Sequence, residues 1–190
     1  MRYLVVALVA FALSLVPDSR AEALDPENAL YIDLQHGRVV VELYPDVAPQ
    51  HVERIKTLAR EGFYDGVVFH RVIDGFMAQT GDPTGTGRGG SDYPDLPAEF
   101  SDQPFQRGTL GMARAAAPDS ANSQFFIMFD EAPHLNGQYT VFGRVVEGME
   151  HVDALERGDP ANNGMVGDPD HMVSVQVAAD AQLPEEEMGR

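Results

Sequence analysis

The segment Phe69-His70-Arg71-Val72-Ile73-Asp74-Gly75-Phe76-Met77-Ala78-Gln79 sets one arginine among apolar residues. Side chains of an extended chain alternate between two faces, so Phe69, Arg71 and Ile73 share one of them. A guanidinium on an apolar face is costly unless it is paired or lines a cavity. Two readings of Arg71 therefore stand side by side. It meets one of the chain's many carboxylates, or it faces a pocket as a permanent donor that can hold a lone pair without passing a proton.

Other chemistries find less support. Gly85-Thr86-Gly87-Arg88-Gly89-Gly90 satisfies G-x-G-x-x-G, but Ser91-Asp92-Tyr93-Pro94 follows where a dinucleotide site needs a helix. These glycines read as positive-φ positions in a tight loop. His70, His134, His151 and His171 are scattered, without H-x-x-x-H spacing, and Asp168-Pro169-Asp170-His171 reads as a turn. No metal is expected. The chain has no cysteine and no G-x-S-x-G elbow, which removes thiolate chemistry, disulfides and the serine-hydrolase arrangement. No cofactor is expected.

A second segment changes the weight on Arg71. Ser123-Gln124-Phe125-Phe126-Ile127 follows Gly111-Met112-Ala113-Arg114 and the loop from Ala115 to Asn122. With Phe69–Gln79, with Leu135-Asn136-Gly137 and with Val141–Met149, it resembles the cyclophilin family in collinear order from about Tyr31 to Leu155. The resemblance implies a mainly β fold, a closed eight-stranded antiparallel barrel capped by two α-helices. It implies peptidyl-prolyl cis–trans isomerase activity on proline-containing polypeptides. Position by position, Arg71 matches the catalytic arginine, and Phe76, Met77, Phe126 and Leu135 match the proline pocket. Gln79, Ala113, Arg114 and Gln124 match groove positions that bind the peptide backbone. His70, His134 and Tyr139 are expected in support, although His134, Tyr139 and Arg114 depart from the residues common in the family. An alternative keeps the groove for a proline-peptide-binding chaperone with little isomerase role.

The elements that must position these residues are legible in outline. Leu30–Leu34 and Val39–Leu43 flank His36-Gly37 and predict a hairpin. After Pro45–Pro49, the residues Val52, Ile55, Leu58 and Ala59 recur at helical spacing, and Gly62 stands where a helix-ending glycine belongs. A strand pair is expected within Val67–Ile73. Thr80–Ser101 has no period and predicts a long structured loop. Strands follow at Thr109–Ala113, Gln124–Phe129, Tyr139–Val145 and Met172–Val177, with a short helix at Met149–Leu155.

At net charge −17, with Lys56 its only lysine, the chain would repel phosphate backbones and anionic membrane surfaces, so no nucleic-acid partner is expected. Met1-Arg2-Tyr3, the apolar run Leu4–Val16, and the small residues Ser19, Ala21 and Ala23 have the layout of a secretory signal peptide. The run is shorter than the roughly 20 residues a membrane span needs. The expected organisation is a leader at 1–23, cleaved after Ala21 or Ala23, an isomerase domain at 28–180, and a mobile acidic tail at 181–190. The expected mature protein is a periplasmic monomer, free of the membrane.

Overall fold

The computed structural model describes residues 24–182. The expected leader lies outside the described residues, as does the acidic tail from residue 183 onward. Leu24–Glu27, which reads as a linker, is folded. Pro26–Asn28 is a 3-10 turn capped by the Asp25 side chain. Glu27 pairs with Lys56 at 2.9 Å and with Arg60 at 3.1 Å, and Arg60 also holds Asp180 at 2.8 Å. One helix thus ties down both ends of the described chain.

The first hairpin is present. β1 (Ala29–Leu34) and β2 (Gly37–Leu43) pair from Ala29↔Glu42 to Leu34↔Gly37, so Gln35 and His36 alone make the turn. Alternation sends Leu30, Ile32 and Leu34, with Val39, Val41 and Leu43, into the main core. Helix α1 (Pro49–Arg60) packs Val52, Ile55, Leu58 and Ala59 on the same core. Its C-terminus closes by bonds from Gly62 N–H to Ala59 and from Phe63 N–H to Leu58, at 3.0 Å each. Gly62, at φ 67°, takes the left-handed turn this ending requires. Its N-terminus has no cap from its own sequence. The Glu99 carboxylate, brought from the long loop, accepts the Gln50 and His51 N–H groups at 3.2 Å and His51 Nδ1 at 2.7 Å.

The strand pair expected within Val67–Ile73 lies further on. β3 (Arg71–Ile73) pairs with β4 (Met77–Thr80) around a turn in which Gly75 adopts φ 66°. β5 (Thr109–Met112), β6 (Phe125–Met128), β7 (Val141–Glu147) and β8 (Met172–Val177) complete one antiparallel sheet. Its order is β3-β4-β6-β5-β7-β2-β1-β8. A five-residue helix, α2 (Met149–Asp153), follows β7.

The mainly β, eight-stranded antiparallel architecture with two helices is as expected. The closed barrel is not. The sheet curls into a half-barrel whose terminal strands β3 and β8 share no ladder. An isolated bridge, Val68↔His171, joins the chain ahead of each. The reason is local: loop 158–166 occupies the free edge of β3. Val72 N–H donates to Gly164 at 2.8 Å, Gly158 N–H to Val72 at 2.9 Å and Val166 N–H to His70 at 3.1 Å. A covered edge presents no free ladder to another strand.

Strands β4, β5 and β6 are apolar on both faces. Ala78, Leu110, Met112, Phe125 and Ile127 face the main core, while Met77, Phe126 and Met128 enter a second cluster with Phe105, Leu135 and Val141. Gly111 belongs to this outer face: a Cβ there would stand 2.5 Å from the rings of Phe105 and Phe126. The outer layer is the ground on which the candidate site is built.

Candidate active site

Register puts the site in a row. Arg71 on β3 stands opposite Gln79 on β4, Gln79 opposite Phe126 on β6, and Phe126 opposite Gly111 on β5. Because the side-chain period of a strand is two, all four positions point to one face, and a slip of one residue would send them to the other. Next to the row lies a recess of about 200 Å³. Phe76, Met77, Phe126 and Leu135 line it with Tyr139, and Arg71, Gln79, Ala113 and Arg114 reach it from the sides. The Phe126 ring stacks on Phe105 with centroids 5.7 Å apart and meets Tyr139 edge-on at 5.9 Å. The apolar wall is therefore rigid, built of side chains that are mostly buried beneath it.

Among the described residues Arg71 has no ion-pair partner. Its Nε donates to the Asn163 carbonyl at 2.9 Å, its Nη2 to Asn163 Oδ1 at 3.1 Å, and its Nη1 to Gln79 Oε1 at 3.1 Å. The positioning continues: Gln79 Nε2 donates to Gln124 Oε1 at 2.9 Å, and Gln124 Nε2 to the Gly89 carbonyl at 2.8 Å. A planar guanidinium held at three nitrogens by neutral acceptors has its direction set and its charge uncancelled. Burial pulls its pKa down from the ordinary arginine value, the Tyr139 side chain opposing this slightly.

The other expected residues divide. Ala113 and Gln124 line a second recess of about 520 Å³ that shares Gln79 and Arg114 with the first. Arg114 donates to the carbonyls of Gln138 at 2.9 Å, Ala115 at 3.0 Å and Ala116 at 3.2 Å, with its charge 4.5 Å above the Tyr139 ring. Its side chain therefore binds two groove loops together. His134 is exposed at the rim, stacked on Phe76 with centroids 5.8 Å apart. His70 is not brought to the recess. It is absent from the lining of both recesses, and its ring is buried at 2 % exposure. Neither ring nitrogen has a hydrogen-bond partner. Burial lowers its pKa, partly offset by Asp82.

Sequence reasoning missed two residues that hold the site. Asn163, 92 residues from Arg71, gives it two of its three acceptors. It sits at φ 53°, a left-handed position that asparagine tolerates. The dipeptide Asn163-Gly164 signals a turn, and nothing local says what the turn faces. Asp82 is the other. Its carboxylate is fully buried and accepts Thr84 N–H at 2.7 Å, Thr84 Oγ1 at 2.8 Å and Arg88 N–H at 3.0 Å. Burial alone would raise its pKa, but hydrogen bonds from Gly89, Thr84 and Gly87 outweigh that and hold it at about 2. The glycine-rich stretch is thus a loop wound around an anion of the chain itself.

Comparison with known proteins adds to this geometry. Residues 29–177 match the family model described as cyclophilin type peptidyl-prolyl cis–trans isomerase/CLD. The chain is 55 % identical over 188 residues to a probable peptidyl-prolyl cis–trans isomerase of Brucella suis, covering 93 % of this chain and 96 % of that one. It is 46 % identical over 132 residues to peptidyl-prolyl cis–trans isomerase B of Bacillus subtilis, covering 68 % and 91 %. Among solved structures, it resembles a cyclophilin-type isomerase of Cryptosporidium parvum determined in the presence of the dipeptide Ala-Pro. That match has TM-score 0.73 and 31 % identity, over 78 % of this chain and 98 % of the other.

Proposed function

This chain belongs to the cyclophilin-type family and is a peptidyl-prolyl cis–trans isomerase, and from that premise we propose that Arg71 is its catalytic residue and the Phe76–Met77–Phe126–Leu135 recess its proline site. The observation that carries this reading is that Arg71, with no carboxylate partner among the described residues, lines a recess walled by Phe76, Met77, Phe126 and Leu135, in a chain rich in carboxylates.

Rotation about a peptide bond is opposed by delocalisation of the nitrogen lone pair, with a barrier of roughly 18–20 kcal/mol. Twisting the bond localises that pair. A donor aimed at the prolyl nitrogen then gains a hydrogen bond that neither planar isomer offers, so it favours the transition state over both ground states. Arg71 supplies the donor. The apolar wall grips the pyrrolidine ring and excludes water, which strengthens the bond. Gln79, oriented by Gln124, holds the carbonyl side. Uncatalysed exchange takes about tens to hundreds of seconds, so reaching an enzyme rate of about 10² to 10³ per second needs roughly 4–7 kcal/mol. One desolvated charge-assisted bond plus positioning supplies that order. No proton moves and no bond breaks.

The direct test is acceleration of cis–trans exchange in a short Xaa-Pro peptide by the purified protein, read by NMR line exchange. An excess of a second Xaa-Pro peptide should suppress this acceleration, and the same competitor with alanine in place of proline should leave it intact. A protein that suppresses aggregation of unfolded clients but leaves exchange at its spontaneous rate would be the chaperone of the alternative reading.

We also read the protein as exported, with its clients among exported polypeptides. The support is the Met1–Ala23 layout of charged start, apolar run and small residues. Among the described residues no helix is long and apolar enough to cross a membrane. Terminal sequencing of the periplasmic protein should begin at Glu22 or Leu24. Full-length protein confined to the cytoplasm would overturn this.

A further inference from the structure

The charge of the groove runs against that of the chain. Carboxylates outnumber lysine and arginine 30 to 13, so a cation that pairs with none is an exception. Among the described residues, Arg38, Lys56, Arg60, Arg107, Arg144 and Arg157 are paired with carboxylates. Arg71, Arg88 and Arg114 have no such partner, and all three line the two adjoining recesses. Among the described lysines and arginines the only other one without a carboxylate partner is Arg54, which braces the groove wall through the carbonyls of Pro94 at 2.8 Å and Asn122 at 3.4 Å.

The larger recess, about 520 Å³, carries Arg88 and Arg114 on its lining against one carboxylate, Asp95, which is held by Asn122 Nδ2 at 3.1 Å. The Arg88 backbone N–H is anchored on Asp82 while its side chain is exposed. The two recesses meet at Gln79, Ala113 and Arg114. A peptide whose proline fills the smaller one can therefore lay the residues on one side of that proline along the larger.

We propose that this groove selects proline segments that carry an Asp or Glu side chain within a few residues of the proline, recognised by Arg88 and Arg114. The inference rests on the assignment of the smaller recess to proline. The net negative charge of the protein opposes such a peptide at long range. At about 0.1 M salt, charges further than roughly 10 Å are largely screened, so the groove arginines decide.

The test measures fluorescence anisotropy of labelled peptides that differ only in Glu, Gln or Lys placed two residues before or after the proline. The Glu peptide should bind about tenfold more tightly than the Lys peptide on one side of the proline at about 0.1 M salt, and by under about twofold at 1 M. Arg88→Gln should cut the ratio about threefold, and Arg88→Glu should abolish or invert it. Both leave the backbone bond to Asp82 in place. Binding with a Glu-to-Lys ratio below about twofold at 0.1 M, or a ratio unchanged by Arg88→Glu, overturns the inference alone. Failure of all the peptides to bind overturns it together with the proline-site assignment. Exchange rates on the same peptides report separately on the isomerase reading.

Discussion

Replacing Arg71 with alanine should lower kcat/KM for Xaa-Pro exchange by about 10²–10³-fold, the loss found when a single preorganised transition-state donor is removed. The fold should survive, because Arg71 is partly exposed and makes no ion pair whose removal would strand a buried charge. The thermal midpoint should accordingly move by only a few degrees. Arg71→Lys is the sharper variant. It keeps the charge but cannot satisfy Asn163 twice and Gln79 once from a rigid plane, so its donor is no longer aimed. We expect it to retain a small part of the activity, at least tenfold below wild type. A lysine variant with full activity would show that charge alone suffices, and that the Asn163 and Gln79 contacts have no catalytic consequence. Suppression of client aggregation that persists in Arg71→Ala would show that binding and catalysis are separable in one groove.

The second large effect belongs to Asp82. Asp82→Asn puts an amide nitrogen, a donor, among Thr84, Thr86 and Arg88 donors that now converge on a carboxylate. The depressed pKa alone corresponds to about 2 kcal/mol of stability at neutral pH, and donors left facing a donor add to the loss. Urea unfolding should show a loss of about 3 kcal/mol. Activity should fall as well, because the same loop carries the Gly89 carbonyl that fixes Gln124 and through it Gln79.

The pH profile separates Asp82 from the buried histidines. Asp82 has a folded pKa of about 2 against an ordinary 3.8, so its contribution is complete above about 4 and lost as pH falls toward 2. His51 and His70 are lowered from 6.5 by burial, with Glu99 and Asp82 respectively opposing. Their neutral forms are the ones the fold holds, so stability begins to fall once pH drops below about 6.5. Wild-type unfolding free energy should decline in two stages. Asp82→Asn should shrink the lower stage, to which the lowered carboxyls of Glu27, Asp33, Glu99 and Asp153 also contribute, while the upper one persists. A variant that loses both stages together would refute this division.

Local signals carried much of the fold. The β1–β2 hairpin, the buried face of α1 and its Gly62 ending follow from alternation, a 3.6-residue period and one glycine, all set within a few residues of chain. The β3–β4 pair was displaced because β3 is only three residues long, too short for its period to mark a boundary. The half-barrel was out of reach for another reason. Whether β3 pairs with β8 depends on where loop 158–166 settles, and that loop carries turn residues without an address.

The same line runs through the candidate site. The candidate residues, Arg71 with Phe76, Met77, Gln79, Gln124, Phe126 and Leu135, were named from the sequence through the family resemblance its distant segments carry, and in the fold they line the two adjoining recesses. Tertiary structure decided what each one does with its polar atoms. It gave Arg71 the neutral acceptors of Asn163 and Gln79, turned the Arg114 guanidinium onto the carbonyls of two loops, and left His70 out of the lining of both recesses. Charge and hydrogen-bonding capacity belong to a residue type and can be read from one position. Partners belong to pairs that folding brings together across the chain, and only the closed loops of the folded molecule choose among them.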